Sequence, residues 1–201
     1  LPGPGATLEV KVRLSITGSV SGVFLAADGT TPVPFGQITL VSNGRVLGQT
    51  TTGGAGELLG KFRFDNVPAG PVRVEAQDPA TARTGFAVGT ITGQDQVVAL
   101  TVRAQGLGSV EGLVLSNGSP QAGAEVTVAA ASFRATTSSD ANGRYRVTGV
   151  PEGQVTASAN LGGGFLAGSA SGNLNGDGTT LTLDVPLQDS GAVGGVVVRA
   201  E

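Results

Sequence analysis

The sequence predicts an all-β fold, with tandem seven-stranded β-sandwiches and almost no helix. Three observations lead to this prediction. Apolar and polar residues alternate over short segments, as they do in half-buried antiparallel strands. Turn signals rich in Gly, Pro and Asn-Gly recur about every ten residues. Five sequence blocks appear twice in the same order, which indicates homologous units in series.

Composition excludes several classes of function. The chain has 201 residues and a net charge of -3, and it contains no His and no Cys. A Ser-His-Asp triad, a cysteine nucleophile and a His-ligated metal are therefore impossible, so we expect neither catalysis nor a bound cofactor. The basic residues are dispersed, which argues against nucleic acid as a partner. No apolar run reaches the ~18 residues of a membrane helix, so we expect no membrane insertion in this segment.

Internal repetition sets the predicted domain organisation. The sequence GSVSG at Gly18–Gly22 returns as GSVEG at Gly108–Gly112. FRFDNVPAG at Phe62–Gly70 matches YRVTGVPEG at Tyr145–Gly153. The predicted divisions are the closing strand of a preceding module at 1–16, a first sandwich at 17–105, a second sandwich at 106–189 and the opening strand of a following module at 190–201.

The two end segments have a second interpretation. Leu8–Leu14 alternates like a strand, and GAVGG at Gly191–Gly195 repeats the opening of each module. Either segment could pair with a strand of a neighbouring chain instead. Because the chain begins with Leu1 and contains no Met, we expect it to be a segment of a longer protein.

Alternation and turn residues place the strands inside each module. Val72, Val74 and Ala76 alternate with Arg73 and Glu75, which indicates one buried and one exposed face. The glycines of the repeated Gly-x-Val-x-Gly predict a bulge or a close approach by another segment. Asn-Gly pairs tolerate the positive φ angles of two-residue hairpin turns. Such pairs occur at Asn43-Gly44, Asn117-Gly118, Asn142-Gly143 and Asn175-Gly176.

The aromatic residues divide into predicted core residues and candidates for a contact surface. Phe62, Phe64 and Tyr145 lie on predicted core faces. GFAVG aligns with GFLAG, which places Phe86 and Phe165 at matching positions and predicts that both are buried. The aromatic residues left as candidates for an apolar contact surface are Phe24, Phe35 and Phe133.

The order GxVxG, GAxVTV, SDANGRYRVTGVPEG resembles the carboxypeptidase regulatory-like domain. That resemblance implies an Ig-like, transthyretin-like (prealbumin-like) sandwich, and it implies structural rather than catalytic motifs. Asp140 is expected to accept hydrogen bonds from the N–H groups of its turn. The first module departs from the motif, because it lacks this Asp and has Phe62 in place of Tyr. The residues with expected structural roles in turns are Asp140, Asn142, Gly143, Pro151, Gly153, Pro68 and Gly70.

One segment has the spacing of a calcium-binding loop. In NLNGDGTTLTLD, oxygen-bearing residues occupy alternate positions, a Gly follows, and a carboxylate stands at the twelfth position. The calcium candidates are Asn173, Asn175, Asp177 and Asp184. A Gly-rich turn is the competing interpretation, because no flanking helices are expected.

These features favour a non-catalytic structural or spacer array in a secreted or cell-surface bacterial protein, such as a stalk, an adhesin or an extracellular filament component. The absence of oxidisable Met and Cys suits an extracellular location. Expected partners are neighbouring modules or further copies, through end-to-end or strand-addition contacts. The alternatives are an accessory region of a secreted enzyme, such as a peptidase or glycosidase, and a module that binds carbohydrate or calcium.

Overall fold

The computed structural model describes residues 16–163 and 166–189. The strands predicted at Leu8–Leu14 and within 190–201 lie outside these residues. The chain divides into two compact units between Ala104 and Gln105, which we call module 1 and module 2.

Module 1 is a sandwich of seven strands in two sheets. Its strands are β1 (Thr17–Leu25), β2 (Gln37–Ser42), β3 (Arg45–Thr51), β4 (Lys61–Pro68), β5 (Gly70–Gln77), β6 (Thr84–Ile91) and β7 (Val97–Arg103). The first sheet has the order β4-β1-β7, with β1 and β7 parallel. The second has the order β3-β2-β5-β6 and is antiparallel. A single 3-10 turn at Gly56–Leu58 is the one helical element described in this module.

Module 2 has the same strand order with local differences. Its strands are β8 (Leu107–Ser116), β9 (Ser119–Pro120), β10 (Glu125–Ala130), β11 (Phe133–Ser138), β12 (Arg144–Pro151), β13 (Gly153–Leu161), β14 (Leu166–Leu174), β15 (Thr180–Thr182) and β16 (Val185–Asp189). The last strand of the sandwich is split into β15 and β16, and both pair in parallel with β8. β14 also pairs with β16, which joins the two sheets into one path, β11-β10-β13-β14-β16-β8-β12.

Each module has its own core, formed by the inward positions of alternating strands. Val72, Val74 and Ala76 are buried, and Arg73 and Glu75 between them are exposed, as the alternation predicts. The largest fully buried side chains of module 1 are Phe24, Ile38, Leu40, Ile91, Val20, Val74 and Val102. Those of module 2 are Leu174, Val110, Val114, Val126 and Val128.

Two of the four Asn-Gly pairs form the predicted two-residue hairpins. Both residues of Asn43-Gly44 and of Asn117-Gly118 have positive φ, which is the type I′ geometry. At Asn142-Gly143 only the Gly has positive φ, and the turn connects β11 to β12 in different parts of the sheet path. Asn175-Gly176 lies between β14 and β15, which do not pair. These last two predictions are therefore wrong about the connection.

Two predictions about phenylalanines are also wrong. Phe24 was a candidate for a contact surface, but it is fully buried because β1 turns it into the core. Phe86 was expected in the core, but it is 58% exposed. Phe35 is 64% exposed, as expected, whereas Phe133 is half-buried and packs against the core of module 2. Phe165 lies outside the described residues.

The error at Phe86 comes from the repeat alignment. Pairing Gly85 with Gly164 implies an offset of 79, whereas the flanking blocks have an offset of 83 (145 − 62 and 181 − 98). The strand registers keep the offset of 83, because Phe86 pairs with Glu75 and Ser169 pairs with Ser158. Phe86 therefore corresponds to Ser169, which is an outward position in both modules.

Candidate functional site

The described residues contain no cluster of three or more His, Cys, Asp or Glu side chains that could hold a metal ion. No helix in the described part of the chain is long and apolar enough to cross a membrane. The features that stand out are instead polar contacts that hold strands together, and some of them recur at equivalent places in the two modules.

The repeated Gly-x-Val-x-Gly marks a close approach of parallel strands. A Cβ on Gly22 would overlap the carbonyl oxygen of Leu100, and a Cβ on Gly112 would overlap that of Leu183. Gly18 has the same relation to the carbonyl oxygen of Gln96. The motif is thus needed because β1 and β8 run against their parallel neighbours with no room for a side chain.

The break between β15 and β16 is filled by side chains. Asp184 accepts a hydrogen bond on Oδ1 from the backbone N–H of Leu113 (2.8 Å). The hydroxyl of Tyr145 donates to the carbonyl of Leu183 (2.6 Å). Burial, together with the nearby Asp184 carboxylate, raises the pKa of Tyr145 to about 12. Module 1 has Phe62 and Thr101 at the equivalent places, and its last strand β7 is continuous.

In each module a buried hydroxyl that the sequence did not reveal fixes the end of one strand, β3 in module 1 and β11 in module 2. Ser139 Oγ donates to the carbonyl of Gln121 (2.7 Å) and accepts from the N–H of Ala124 (2.9 Å). Thr52 Oγ1 likewise donates to the carbonyl of Val33 (2.6 Å) and accepts from the N–H of Gly36 (2.8 Å). Each hydroxyl satisfies two backbone groups that have little access to water.

We expect Ser139→Ala to destabilise module 2 by about 2 kcal/mol, because it leaves a buried N–H and a carbonyl without their partner. Urea unfolding followed by the fluorescence of Tyr145, the only tyrosine, measures the loss in this module. The matched control is Ser139→Thr, which keeps the hydroxyl and copies Thr52. Equal midpoints for Ser139→Ala and the parent would contradict the proposed role of this hydroxyl.

The turn after Ser139 has the expected residue types in defined roles. Asp140 Oδ1 accepts hydrogen bonds from the N–H groups of Asn142 and Arg144, both at 2.8 Å. Gly143 has φ +74°, and a Cβ there would meet Pro120. In module 1, Gly60 has φ +69° and the same relation to Pro32. The Asp is therefore replaceable in this turn, whereas the Gly is required by both contact and φ.

The Pro-x-Gly sequences form the corner between the two sheets of each sandwich. β4 ends at Pro68 and β5 begins at Gly70, while β12 ends at Pro151 and β13 begins at Gly153. Gly70 has φ +134° and Gly153 has φ +123°, which L side chains rarely adopt. These four residues direct the chain from one sheet to the other.

A second turn built around an aspartate follows the end of β1 in module 1. Asp28 Oδ2 accepts a hydrogen bond from Thr31 Oγ1 (2.6 Å), and Oδ1 accepts from the N–H groups of Thr31 (2.9 Å) and Thr30 (2.8 Å). These bonds, led by the Thr31 hydroxyl, lower the pKa of Asp28 to about 2. The carboxylate acts here as a turn acceptor.

The four calcium candidates do not converge on one point. Asp177 Oδ1 accepts from the N–H of Leu107 (3.0 Å), whereas Asp184 Oδ1 accepts from the N–H of Leu113. Those two N–H groups are six residues apart on β8, which separates the carboxylates by roughly 20 Å. Calcium ligands lie about 2.5 Å from the ion, so these two cannot share one. Asn173 and Asn175 contact each other through their side-chain amides, at 2.8 Å.

The outward face of the β4-β1-β7 sheet, and its equivalent in module 2, is concave. In module 1 the concavity measures about 670 Å³, and Ser21, Val23, Ala99, Lys61 and Leu58 are among the residues that line it. In module 2 it measures about 530 Å³ and its lining is charged. There Glu111 occupies the position of Ser21 and pairs with Arg146 (3.3 Å). Neither concavity has an exposed aromatic ring among its described lining residues.

Comparison with known proteins gives one family match. Residues 109–188 match the model of the carboxypeptidase regulatory-like domain. No curated protein matches the sequence.

Several solved structures resemble the chain at low identity. The TIE protein of Bacillus anthracis is 16% identical over 87% of this chain and 34% of that one, with a TM-score of 0.39. A streptococcal ancillary pilin is 14% identical over 85% and 62% (TM-score 0.43). A minor pilin of Streptococcus agalactiae is 12% identical over 90% and 100% (TM-score 0.48). The chain thus spans about a third of the first protein, and with all three scores below 0.5 the roles of these proteins do not transfer to it.

The family match covers the part of the chain in which the strand order, the Asp140 turn, the Pro151-x-Gly153 corner and the Tyr145 contact occur together. Residues 109–188, within module 2, are thus similar to the carboxypeptidase regulatory-like domain.

Proposed function

We propose that the chain is a non-catalytic spacer segment of a secreted or cell-surface bacterial protein, of the kind that forms a stalk, an adhesin shaft or an extracellular filament. Its role is to hold the parts on either side of it at a distance and to resist tension. The observation that carries this proposal is the parallel pairing of the first and last strands in each module.

The strand pairing suits a segment that transmits force. In module 1, β1 and β7 pair in parallel over seven successive residues, from Ser19 with Val97 to Leu25 with Arg103. In module 2, β8 pairs in parallel with β15 and then with β16. Tension on the two ends of a module pulls these neighbours in opposite directions along their length. All their hydrogen bonds are then strained together, because none can open before the others.

The link between the modules also supports a spacer. The N–H of Ala104 donates to the carbonyl of Leu25 (2.9 Å) in module 1, and the carbonyl of Gly106 accepts from the N–H of Glu152 (2.9 Å) in module 2. Only Gln105 lies between these anchored residues. A link this short contains few rotatable backbone bonds, in contrast to a flexible Gly/Ser linker of many residues.

Single-molecule stretching of the whole chain by its ends tests this function. We expect two separate unfolding events at high force, one for each module. The control pulls module 1 in another direction, through handles attached to cysteines introduced as Pro71→Cys and Thr90→Cys. These two residues are paired at the open end of the β5–β6 hairpin. The chain has no cysteine of its own, so attachment is specific.

Pulling at those handles opens the β5–β6 hydrogen bonds one after another, so module 1 should unfold at clearly lower force than in end-to-end pulling. Equal and low forces in the two directions would overturn the spacer function. An accessory role beside a catalytic domain would then become the better hypothesis.

A further inference from the structure

Among the described residues, every large hydrophobic side chain with high exposure belongs to module 1. They are Ile16, Phe35, Val46, Leu47, Leu58, Phe86, Val88 and Val97. Three of them, Val46, Phe86 and Val88, are each at least 58% exposed and lie on one surface, the outward face of the β3-β2-β5-β6 sheet. Phe86 and Val88 are neighbours on one side of β6, and Val46 lies at the far edge of the sheet, on β3. Exposed apolar residues that share one surface of a soluble domain mark an interaction site more often than isolated ones do.

The strand registers arrange this surface in two rows across the sheet. The first row runs Val46, Val41, Arg73, Val88, and the second runs Gln49, Thr39, Glu75, Phe86. We call the surface formed by these eight residues the Phe86 face. Val72, Val74 and Ala76 point into the core from β5, the strand that carries Arg73 and Glu75, so the Phe86 face is the outer surface of the sandwich.

On the corresponding face of module 2 the side chains are small and mostly polar. Thr127, Ser158 and Ser169 stand where module 1 has Thr39, Glu75 and Phe86, and Thr156 and Ser171 stand where it has Arg73 and Val88. Thr156 and Ser171 contact each other through their hydroxyls (3.0 Å). The sandwich architecture therefore does not require apolar residues here, and their presence in module 1 needs another reason.

The charges on the Phe86 face are arranged to be self-complementary. Arg73 Nε contacts Glu75 Oε1 at 2.8 Å, and the guanidinium carbon of Arg73 lies 3.8 Å from the centre of the Phe86 ring. One cation lies in the first row and one anion in the second, so the face has no net charge. Consider two copies related by a two-fold axis that lies between the rows and runs across the strands. The first row of one copy then faces the second row of the other, which brings opposite charges together.

We propose that module 1 self-associates through the Phe86 face, and that the partner is the Phe86 face of a second copy. In this arrangement Arg73 meets Glu75 of the second copy, and Phe86 meets Val88 of the second copy. Each residue contact occurs twice, as an isologous interface requires. A different protein would need its own matching charge pattern, whereas a second copy supplies it without further assumption. The contact is separate from the serial linkage of modules proposed above.

Sedimentation velocity of the whole chain over a range of concentrations tests the association. We expect a reversible dimer for the parent chain. The double variant Phe86→Ser with Val88→Ser gives module 1 the residues of module 2, and we expect it to weaken dimerisation more than about tenfold. The matched control is Phe35→Ser with Leu58→Ser, which removes two equally exposed hydrophobic residues from other parts of module 1 and should leave the dimer unchanged.

Charge reversal distinguishes a second copy from any other partner. Arg73→Glu alone places carboxylates opposite each other across the axis, and Glu75→Arg alone does the same with guanidinium groups, so each should weaken the dimer. The double reversal restores opposite charges and should restore association. A parent chain that stays monomeric, a dimer indifferent to the serine variant, or a double reversal that fails to restore association would each overturn the proposal. Circular dichroism of every variant confirms that it is folded.

Discussion

Gly112→Ala is expected to destabilise module 2 by about 3 kcal/mol. The added Cβ would overlap the carbonyl oxygen of Leu183. That carbonyl cannot move aside freely, because it accepts the hydroxyl of Tyr145 and because the N–H of Leu183 donates to Glu111 (2.8 Å). In an unconstrained strand the same substitution would be favourable by about 0.5–1 kcal/mol, so the sign of the effect reports the contact.

The measurement is urea unfolding followed by tyrosine fluorescence. Tyr145 is the only tyrosine and the chain has no tryptophan, so the signal belongs to module 2 alone. Gly93→Ala is the control, since a Cβ at Gly93 would meet nothing within 4 Å, and circular dichroism should show a change below about 1 kcal/mol. Gly22→Ala should reproduce the large loss in module 1. A stable Gly112→Ala protein would show that β8 can separate from Leu183 at little cost.

The sequence predicts the sandwich because its core depends on a simple period. Inward positions such as Val72, Val74 and Ala76 alternate with charged residues, and each strand repeats this pattern independently. The family resemblance rests on the turn from Ser139 to Tyr145, where contact and φ leave few alternatives at Gly143. These features are local, and local features are visible in a single sequence.

Features that depend on the neighbouring strand could not be predicted in the same way. Thr52 and Ser139 make equivalent hydrogen bonds. The distance in sequence from Thr52 to Gly60 is four residues longer than the distance from Ser139 to Gly143 (60 − 52 against 143 − 139). This difference in length hides the correspondence between the two hydroxyls. The exposure of Phe86 follows from a strand register that a chance match of two Gly-Phe pairs obscured. The constant offset of the flanking blocks was the signal that identifies the correct register.

The calcium candidates show why sequence spacing alone does not bring side chains together. The number of residues between Asp177 and Asp184 in the sequence suits a loop that wraps around an ion. In this chain the segment between them contains β15, which runs beside β8, so the two carboxylates reach N–H groups at different points along β8. Asp184 instead takes the place of a backbone acceptor where the ladder between β8 and the last strand is interrupted.

Alkaline solution is expected to destabilise module 2 through Tyr145. The pKa of Tyr145 is raised to about 12 in the folded protein, against about 10 for an exposed tyrosine, because burial and Asp184 disfavour the phenolate. A raised folded pKa contributes stability that is complete below pH ~10 and is lost as the pH rises from about 10 through about 12. The loss amounts to about 3 kcal/mol, since each pKa unit corresponds to about 1.4 kcal/mol.

Tyr145→Phe separates this effect from the titration of lysine and of other groups. At neutral pH we expect the variant to be less stable by about 1–2 kcal/mol, because the carbonyl of Leu183 loses its buried donor. Module 1 tolerates Phe62 at the equivalent position, so the variant should fold. Between pH 10 and 12 its unfolding midpoint, followed by circular dichroism, should then fall less than that of the parent, so that the two curves converge. Parallel curves would mean that Tyr145 ionises in the folded protein as readily as in the unfolded chain.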